Sequence, residues 1–431
     1  MRQSFAILIG KLILATTKFL KIGGGSAAPG YYGLKIDPQL VNKLSSQVET
    51  RIIITGTNGK TTTSRFLAHF AKANNLKVIR NSTGSNLERG VASTLIAKSN
   101  LFGKLAKFDL SIWEVDEADF NRLAPKIKPQ MVVFLNVLRD QLDRYGEIDS
   151  VVKKWQKTLE GMDKNTIVIL NNDDGNLQDL RRSFKGKIQS FGFDKPTIKG
   201  EVVLNKKVNT IKPEIEARNV KENGLTSISF ETTINHKPLT INLPIPGIYH
   251  IYDFLAAFLI SQSLKIPSDK MLQSLKNYSP AFGRVEKIKL GSKDAWIFLI
   301  KNPFGASLVF KTVSNNLEKG DLLFLALNDN FADGTDVSWI WDREFEALGV
   351  KSKGLKVYAA GTRAEDLALR LNYAGFGKES IIIENDIEKA LNKIRKEDAK
   401  RIFIMPTYTA LLELQKNLAK SNIKDYYWRE N

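Results

Sequence analysis

The chain has 431 residues, with 64 Lys and Arg against 46 Asp and Glu for a net charge of +18, three histidines and no cysteine. That length exceeds one hydrophobic core and predicts two or three domains. The absence of cysteine excludes disulfides, thiolate metal sites and a cysteine nucleophile, and His69, His236 and His250 are too scattered to suggest a histidine metal cluster. A basic surface suits nucleic acid, an anionic membrane or a phosphorylated substrate. No RNA-binding signature or zinc finger accompanies it, which argues against a nucleic-acid partner.

At the start of the chain, 5–20 (FAILIGKLILATTKFL) predicts an amphipathic helix whose basic face carries Lys11 and Lys18. It is short for a bilayer span of about 20 residues. It packs on the following domain by default, or rests at a membrane surface. A flexible break at 23–26 and a turn at Pro29-Gly30 follow. From residue 46 to about 285 strands alternate with helices. The expected strands are Arg51–Thr55, Lys77–Asn81, Asp109–Val115, Met131–Asn136 and Thr166–Asn171, with helices after the first strand and after Ser150. Such alternation implies parallel strands with crossover helices and a ligand at their carboxyl ends. Residues 195–243 are polar and read as a small antiparallel insertion, and Ile251–Leu264 returns to helix. Past a boundary near Arg284 the alternation resumes. Strands are expected at Ala295–Ile300, Asp321–Leu327, Lys356–Ala360 and Arg401–Met405, and helices at Ala364–Tyr373, Ile387–Arg395 and Thr409–Lys420. The fold class is therefore α/β, with a helical and Gly-rich segment over 1–45, a central domain over 46–285 and a smaller α/β domain over 286–431.

The central feature is 51–63, RIIITGTNGKTTT. A buried strand enters a tight turn, and Lys60 with three threonines opens a helix. In the Gly56-Thr57-Asn58-Gly59 turn the glycines let backbone N–H groups point into the loop without a Cβ in the way, and the helix N-terminus adds positive potential for an anion. Lys60 would neutralise the β- and γ-phosphates of ATP, Thr61 would reach Mg²⁺, and Thr62 stands beside it. Glu114 ends an apolar strand and opens the cluster 114–119 (EVDEAD). A carboxylate there suits Mg²⁺, which needs few protein ligands beside phosphates and waters. Arg139, Asp140 and Asp143 follow the next buried strand, and 172–175 (NDDG) reads as an Asx-type turn. Arg284 at the boundary has the geometry to grip a phosphate, or to form an ordinary interdomain ion pair. In the last domain, 328–342 (NDNFADGTDVSWIWD) sets four aspartates beside Trp339 and Trp341, as either a partner-binding or catalytic loop or a structural one. Met405–Thr409 reads as a strand-to-helix turn whose threonine caps the next helix.

TGTNGKTTT at 55–63, the Glu114 strand end, NNDD at 171–174 and FGRVE at 282–286 resemble the central domain of Mur-type ligases, which join an amine to a carboxylate with ATP. LNVLRDQLDRYGEID at 135–149, KNPFGAS at 301–307, NDNFADGTDVSWIWD and IMPTYTALLEL at 404–414 narrow the resemblance to the MurT family, the ligase-like subunits of lipid II isoglutaminyl synthase. It implies a Mur ligase-like P-loop domain with a parallel sheet and a smaller Rossmann-like C-terminal domain. It implies ATP and Mg²⁺ as cofactors, amidation of the glutamate α-carboxylate in lipid II through an acyl phosphate, and a GatD-type glutaminase partner that supplies ammonia. Lys60, Thr61 and Glu114 would serve the phosphates and metal, and Asn171 and Asp174 the nucleotide. Asp333 and Asp336 would act at the reacting carboxylate or the glutaminase interface. The implied location is cytoplasmic, or peripheral at the inner face of the plasma membrane.

Three departures from the family pattern stand out. The place of a cysteine zinc ribbon is taken by 195–243 without cysteine, so no zinc is expected. His250 and Asp253 of 247–257 (GIYHIYDFLAA) stand where asparagines near the adenine are usual, and Lys301 replaces an acidic position of the amino-acid-adding ligases. The Lys301 change fits a chain whose amine is ammonia. The competing readings are a free-standing Mur or folylpolyglutamate-type ligase, and a nucleotide-binding scaffold without turnover.

Overall fold

Ile52, Ile53 and Ile54 are fully buried in β1 (Thr50–Thr55), at the middle of a sheet packed on both faces. Burial of each such side chain contributes about 1.5–3 kcal/mol, so this run anchors the first half of the molecule. The computed structural model describes residues 1–19, 27–81, 85–138, 148–195, 211–234, 237–280, 283–342, 345–349 and 354–421. The further strands in chain order are β2 (Val78–Arg80), β3 (Leu110–Val115), β4 (Met131–Phe134), β5 (Ile167–Asn171), β6 (Lys187–Phe193), β7 (Ile215–Asn223), β8 (Ser227–Ile234) and β9 (Lys237–Leu243). They form one nine-stranded sheet in the order β2-β3-β1-β4-β5-β6-β7-β8-β9, parallel from β2 through β7 and antiparallel beyond. The chain leaves β1 toward β2 and β3 on one side and returns to β4 on the other. The carboxyl end of β1 is thus the switch point where open α/β sheets take their ligands.

A second, six-stranded sheet begins at β10 (Arg284–Leu290). It continues through β11 (Lys293–Phe298), β12 (Leu322–Ala326), β13 (Lys356–Ala360), β14 (Ile381–Glu384) and β15 (Arg401–Pro406), in the order β10-β11-β15-β12-β13-β14. Only the β10–β11 pair is antiparallel. Its faces are covered by two apolar clusters of its own, centred on Phe310, Phe403 and Leu371 and on Phe324, Ile404 and Leu414.

The structure refines several expectations. In the segment read as a small antiparallel insertion, β7–β9 pair antiparallel with one another, and β7 also pairs in parallel with β6, Phe191 opposite Ile215, so the meander extends the central sheet. Its alternating burial, with Ile228, Phe230, Thr232 and Ile234 turned inward, joins the same core as the helix Tyr249–Ser263. Pro29 and Gly30 are not in a turn but in the first turn of the helix Ala28–Ile36. Proline is tolerated there because its missing N–H has no helical partner to lose. Gly30 is required by contact with the helix Glu88–Lys98, where an added Cβ would run into the Arg89 carbonyl. The first helix spans Arg2–Phe19 and packs on those two helices. The 23–26 break, Arg139, Asp140, Asp143 and His236 lie outside the described residues.

Candidate active site

The phosphate loop is shaped by two glycines that nothing else can replace. Gly56 has φ +136°, and a Cβ there would meet the backbone O and N of Asn136 at 2.8 and 2.9 Å. Gly59, at φ +91°, caps the helix Lys60–Ala73, and a Cβ would strike the Asp253 carboxylate. The segment after β4 braces the loop. Thr57 N donates to Asn136 O at 3.0 Å, Asn58 N donates to Asn136 Oδ1 at 2.8 Å, and Leu138 N donates to Thr57 Oγ1 at 3.0 Å. Asn136 thus holds two of the residues expected to cradle phosphate.

Lys60 is buried, and its ammonium donates to the Gly56 carbonyl, to the Thr57 carbonyl at 3.2 Å and to Glu117 Oε2 at 3.1 Å. Glu117 is equally buried. Burial alone would raise its carboxyl, but the nearby Lys60 and Lys301 ammoniums outweigh that and hold it below the usual glutamate range. Thr61 and Glu114, the expected Mg²⁺ pair, meet: Thr61 Oγ1 donates to Glu114 Oε2 at 2.7 Å, and Ser64 Oγ to Oε1 at 2.6 Å. Asn81 fixes the Glu114 backbone from both sides, accepting its N–H at 2.9 Å and donating to its carbonyl at 2.8 Å. A hydroxyl and a carboxylate side by side next to a phosphate cradle offer the hard oxygen donors that Mg²⁺ takes. Thr62 is buried in the first turn of the same helix.

A cleft of about 210 Å³ opens between the two sheets above this loop. Asn58, Gly59, Asn171, Asp174, His250, Asp253 and Arg284 all line it, so seven of the expected nucleotide residues converge on one space. Their roles differ in kind. Asp174 has both oxygens engaged by backbone, Asn176 N at 2.9 Å and Val137 N at 2.8 Å, so it holds the loop after β4. Asn171, the last residue of β5, accepts Asp173 N at 3.0 Å, an Asx contact that begins one residue ahead of the expected 172–175 turn. His250 Nδ1 lies 3.2 Å from Asp253 Oδ2, and Thr63 Oγ1 donates to Asp253 Oδ1 at 3.4 Å. Burial pushes the His250 imidazole down and the Asp253 carboxyl up, and the hydrogen bond between them opposes both shifts. His250 Nε2 is buried and has no protein partner among the described residues, which leaves one polar atom for a ligand in the cleft.

Several cleft residues were not singled out as site residues from sequence. Tyr252 lies in the cleft wall and donates to Asp173 Oδ2 at 2.8 Å, and Phe298 and Phe304 bring an aromatic wall from the second sheet. Lys301, noted only as a departure from the family pattern, also lines the cleft. Asn302 accepts Gly305 N at 2.9 Å as the cap of the helix Pro303–Asn316 and bonds Asn58 across the cleft. Glu117 belonged to the acidic run already noted, three residues past Glu114. The available signal was that spacing beyond a strand end.

Asp333 and Asp336 do not line this cleft. Asp333 is buried, accepting Thr409 N at 2.8 Å and the Thr409 hydroxyl, and so ties the 328–337 loop to the helix Tyr408–Lys420. Burial raises its carboxyl, against the pull of the Thr409 hydrogen bonds. Asp336 is exposed and accepts Ser338 N at 2.8 Å. Thr407 does not cap the following helix with its side chain; its hydroxyl accepts Asn328 N at 3.0 Å instead. Trp339 packs on the second core while Trp341 stays 47% exposed, edge-on to Tyr373 with ring centroids 5.4 Å apart.

Residues 54–261 match the Mur ligase middle domain, and residues 299–411 the MurT ligase C-terminal domain. The MurT subunit of lipid II isoglutaminyl synthase (glutamine-hydrolyzing) from Staphylococcus aureus strain COL is 32% identical, over 98% of this chain and 99% of its own. The corresponding subunit from Streptococcus pneumoniae is 31% identical over 94% of each chain. Among solved structures, MurF ligase from Thermotoga maritima in complex with ADP shares the fold with a TM-score of 0.65 at 15% identity, over 90% of this chain and 83% of that one. With both sheets, the phosphate loop and the cleft accounted for along its whole length, the chain belongs to the MurT family of Mur-type ligases.

Proposed function

We propose that the chain is the synthetase subunit of a lipid II isoglutaminyl synthase, amidating the α-carboxylate of the stem-peptide glutamate in lipid II during peptidoglycan biosynthesis. The observation that carries the reading is Lys60, Thr61 and Glu114 gathered beside the loop whose Asn58 and Gly59 line the cleft, in a chain similar end to end to such subunits. A carboxylate oxygen attacks the γ-phosphorus of ATP and ADP leaves. Ammonia then adds to the acyl carbon, phosphate departs and a proton is lost. Phosphorylation turns a poor leaving group into a good one, and the protein's task is charge neutralisation and positioning.

In this reading the domains are 46–285 and 286–431, behind a helical segment over 1–45. Because Asn136 engages the Thr57 and Asn58 N–H groups, the N–H groups of Gly59 and the helix start and the Lys60 ammonium hold the phosphates, Lys60 exchanging the Gly56 and Thr57 carbonyls for phosphate oxygens. Thr61 and Glu114 hold Mg²⁺, whose charge offsets that of the phosphates. His250, Asp253 and Asn171 face the nucleoside, Asp174 positions their wall, and Arg284 and Lys301 bring positive charge from the second sheet. Ammonia comes from a GatD-type glutaminase. The chain has no cysteine to perform that hydrolysis through a thiol. The exposed Phe331, Trp341 and Tyr373 near the 328–342 loop suit a docked partner, with Asp336 among them. No membrane-crossing helix occurs among the described residues, and the lipid-linked substrate is met at the inner membrane face.

The test is mass spectrometry of lipid II incubated with the purified chain, ATP and Mg²⁺, with ammonium chloride in one reaction and glutamine alone in another. Product about one mass unit lighter with ammonium, and none with glutamine until the glutaminase is added, is the expected result. ATP binding without product in any reaction, the glutaminase included, would leave the scaffold reading standing.

A further inference from the structure

The helix Arg2–Phe19 buries one side and leaves the other apolar. Ala6, Ile7 and Gly10 are buried against the helices Ala28–Ile36 and Glu88–Lys98. The contact is close: a Cβ added at Gly10 or at Gly33 would meet Ile96 Cδ1 at 2.8 Å. On the opposite side Met1, Phe5, Leu8, Leu12, Ala15 and Phe19 recur every three or four residues, which places them in one stripe. Phe5, Leu8 and Leu12 are 55%, 40% and 55% exposed. A helix packed on a soluble domain ordinarily turns charged and polar residues outward. Here the outward stripe is as apolar as the inward one, and no described residue covers it. Tyr31 and Tyr32 of the paired helix are exposed as well.

The charges in the sequences of the two paired helices have one sign. Arg2–Phe19 contains Arg2, Lys11 and Lys18, Ala28–Ile36 contains Lys35, and neither contains Asp or Glu. Residues 89–108, which include most of the helix beneath and the loop touching Gln3, contain Arg89, Lys98, Lys104 and Lys107 and again no acid. An apolar ridge on two acid-free helices that carry Arg2, Lys11 and Lys35 matches the acyl boundary and headgroups of an anionic lipid surface. Protein interfaces, by contrast, are depleted in lysine. No helix among the described residues is long and apolar enough to cross the bilayer, so the contact lies in the plane of the interface.

We propose that the outward face of the helix Arg2–Phe19 docks the protein on an anionic lipid bilayer. The inference gains its purpose from the lipid-linked substrate proposed above, but its geometry does not depend on the chemistry of the cleft.

The experiment is flotation of the full chain with vesicles that contain no lipid II, made of phosphatidylcholine alone or with phosphatidylglycerol. Binding to the anionic vesicles about tenfold stronger than to the neutral ones, weakening with salt, is expected. The variant Phe5→Ser/Leu12→Ser loses about tenfold or more, and Lys11→Gln about fivefold. Both variants keep wild-type thermal melting, since the changed side chains point away from the fold. Failure of the wild-type chain to float with anionic vesicles at low salt overturns the proposal, as does undiminished binding by the double variant. So does a dimer in light scattering that the double variant converts to monomer, because the face would then be occupied by a second copy. Because the vesicles lack lipid II, failure of the amidation reading leaves this result unaffected. Absence of vesicle binding by the wild-type chain, with intact amidation of detergent-solubilised lipid II, overturns the docking face alone.

Discussion

Asn58 and Asn302, 244 residues apart, exchange side-chain amide hydrogen bonds across the interdomain cleft, Asn302 Nδ2 to Asn58 Oδ1 at 2.9 Å and Asn58 Nδ2 to Asn302 Oδ1 at 3.3 Å. One residue sits in the phosphate loop and the other caps a helix of the second sheet. The position of the second domain is therefore tied to the conformation of the loop that takes phosphate.

Asn302→Asp separates the two tasks of this residue. The aspartate keeps an oxygen for the Gly305 N–H, so helix capping survives and stability in urea changes by less than about 0.5 kcal/mol. The donor to Asn58 is lost, and one such hydrogen bond is worth about 1 kcal/mol. Turnover should fall about fivefold, measured as ammonium-dependent phosphate release.

Lys60→Met removes the cation from both the phosphates and Glu117. Amidation should drop by about 10²-fold or more. The nucleotide-free chain should also lose about 3–5 kcal/mol, because Glu117 is left buried without its closest partner. Lys60→Met/Glu117→Gln should recover most of that stability and none of the activity. Urea unfolding of the three proteins checks it.

The same pair sets an acid limit. Glu117 titrates below its unfolded value, so between the two values the unfolded chain binds a proton that the folded chain does not. Its stabilisation is fully present above the unfolded value of about 4.3 and is lost as pH falls through the folded one. Glu117→Gln should flatten the fall of the urea midpoint below that pH, while wild type continues to lose stability.

Gly56→Ala should disable the loop without touching any charge. Alanine at φ +136° is strained, and the neighbouring atoms are Asn136 backbone, which cannot swing aside. A loss of about 1–3 kcal/mol is expected, with weakened ADP binding by calorimetry.

Asp333 and Asp336 should behave as opposites. Asp333→Ala strips the partner from Thr409 N–H and costs about 1–3 kcal/mol in stability. Asp336→Asn is exposed and should leave stability within about 0.5 kcal/mol. Its amidation then assigns the role. Loss with ammonium places Asp336 at the reacting carboxylate, and loss only with glutamine and the glutaminase places it at the subunit interface.

The sequence by itself determined what is local. Three isoleucines, two glycines at fixed offsets and Lys60 at a helix start define a phosphate loop, because strand, turn and helix each constrain the backbone within a few residues. Glu114 was legible because a carboxylate near the carboxyl end of a buried apolar strand needs polar partners there, which Thr61 and Ser64 supply. The parallel direction of most strands followed from their alternation with helices.

Only the tertiary structure decided what depends on distant partners. Glu117 became the counter-ion of Lys60 because β1 and β3 lie side by side, a register no local pattern encodes. Asn302 met the phosphate loop through the docking of two sheets. Asp333 and Asp336, equivalent in a polar loop, were separated by whether a threonine 76 residues later reaches the carboxylate. The β7–β9 meander was legible as antiparallel, but alternating polar strands do not declare which strand lies beside them. That its neighbour is β6 and its cover the helix Tyr249–Ser263 is fixed by apolar burial across the whole core.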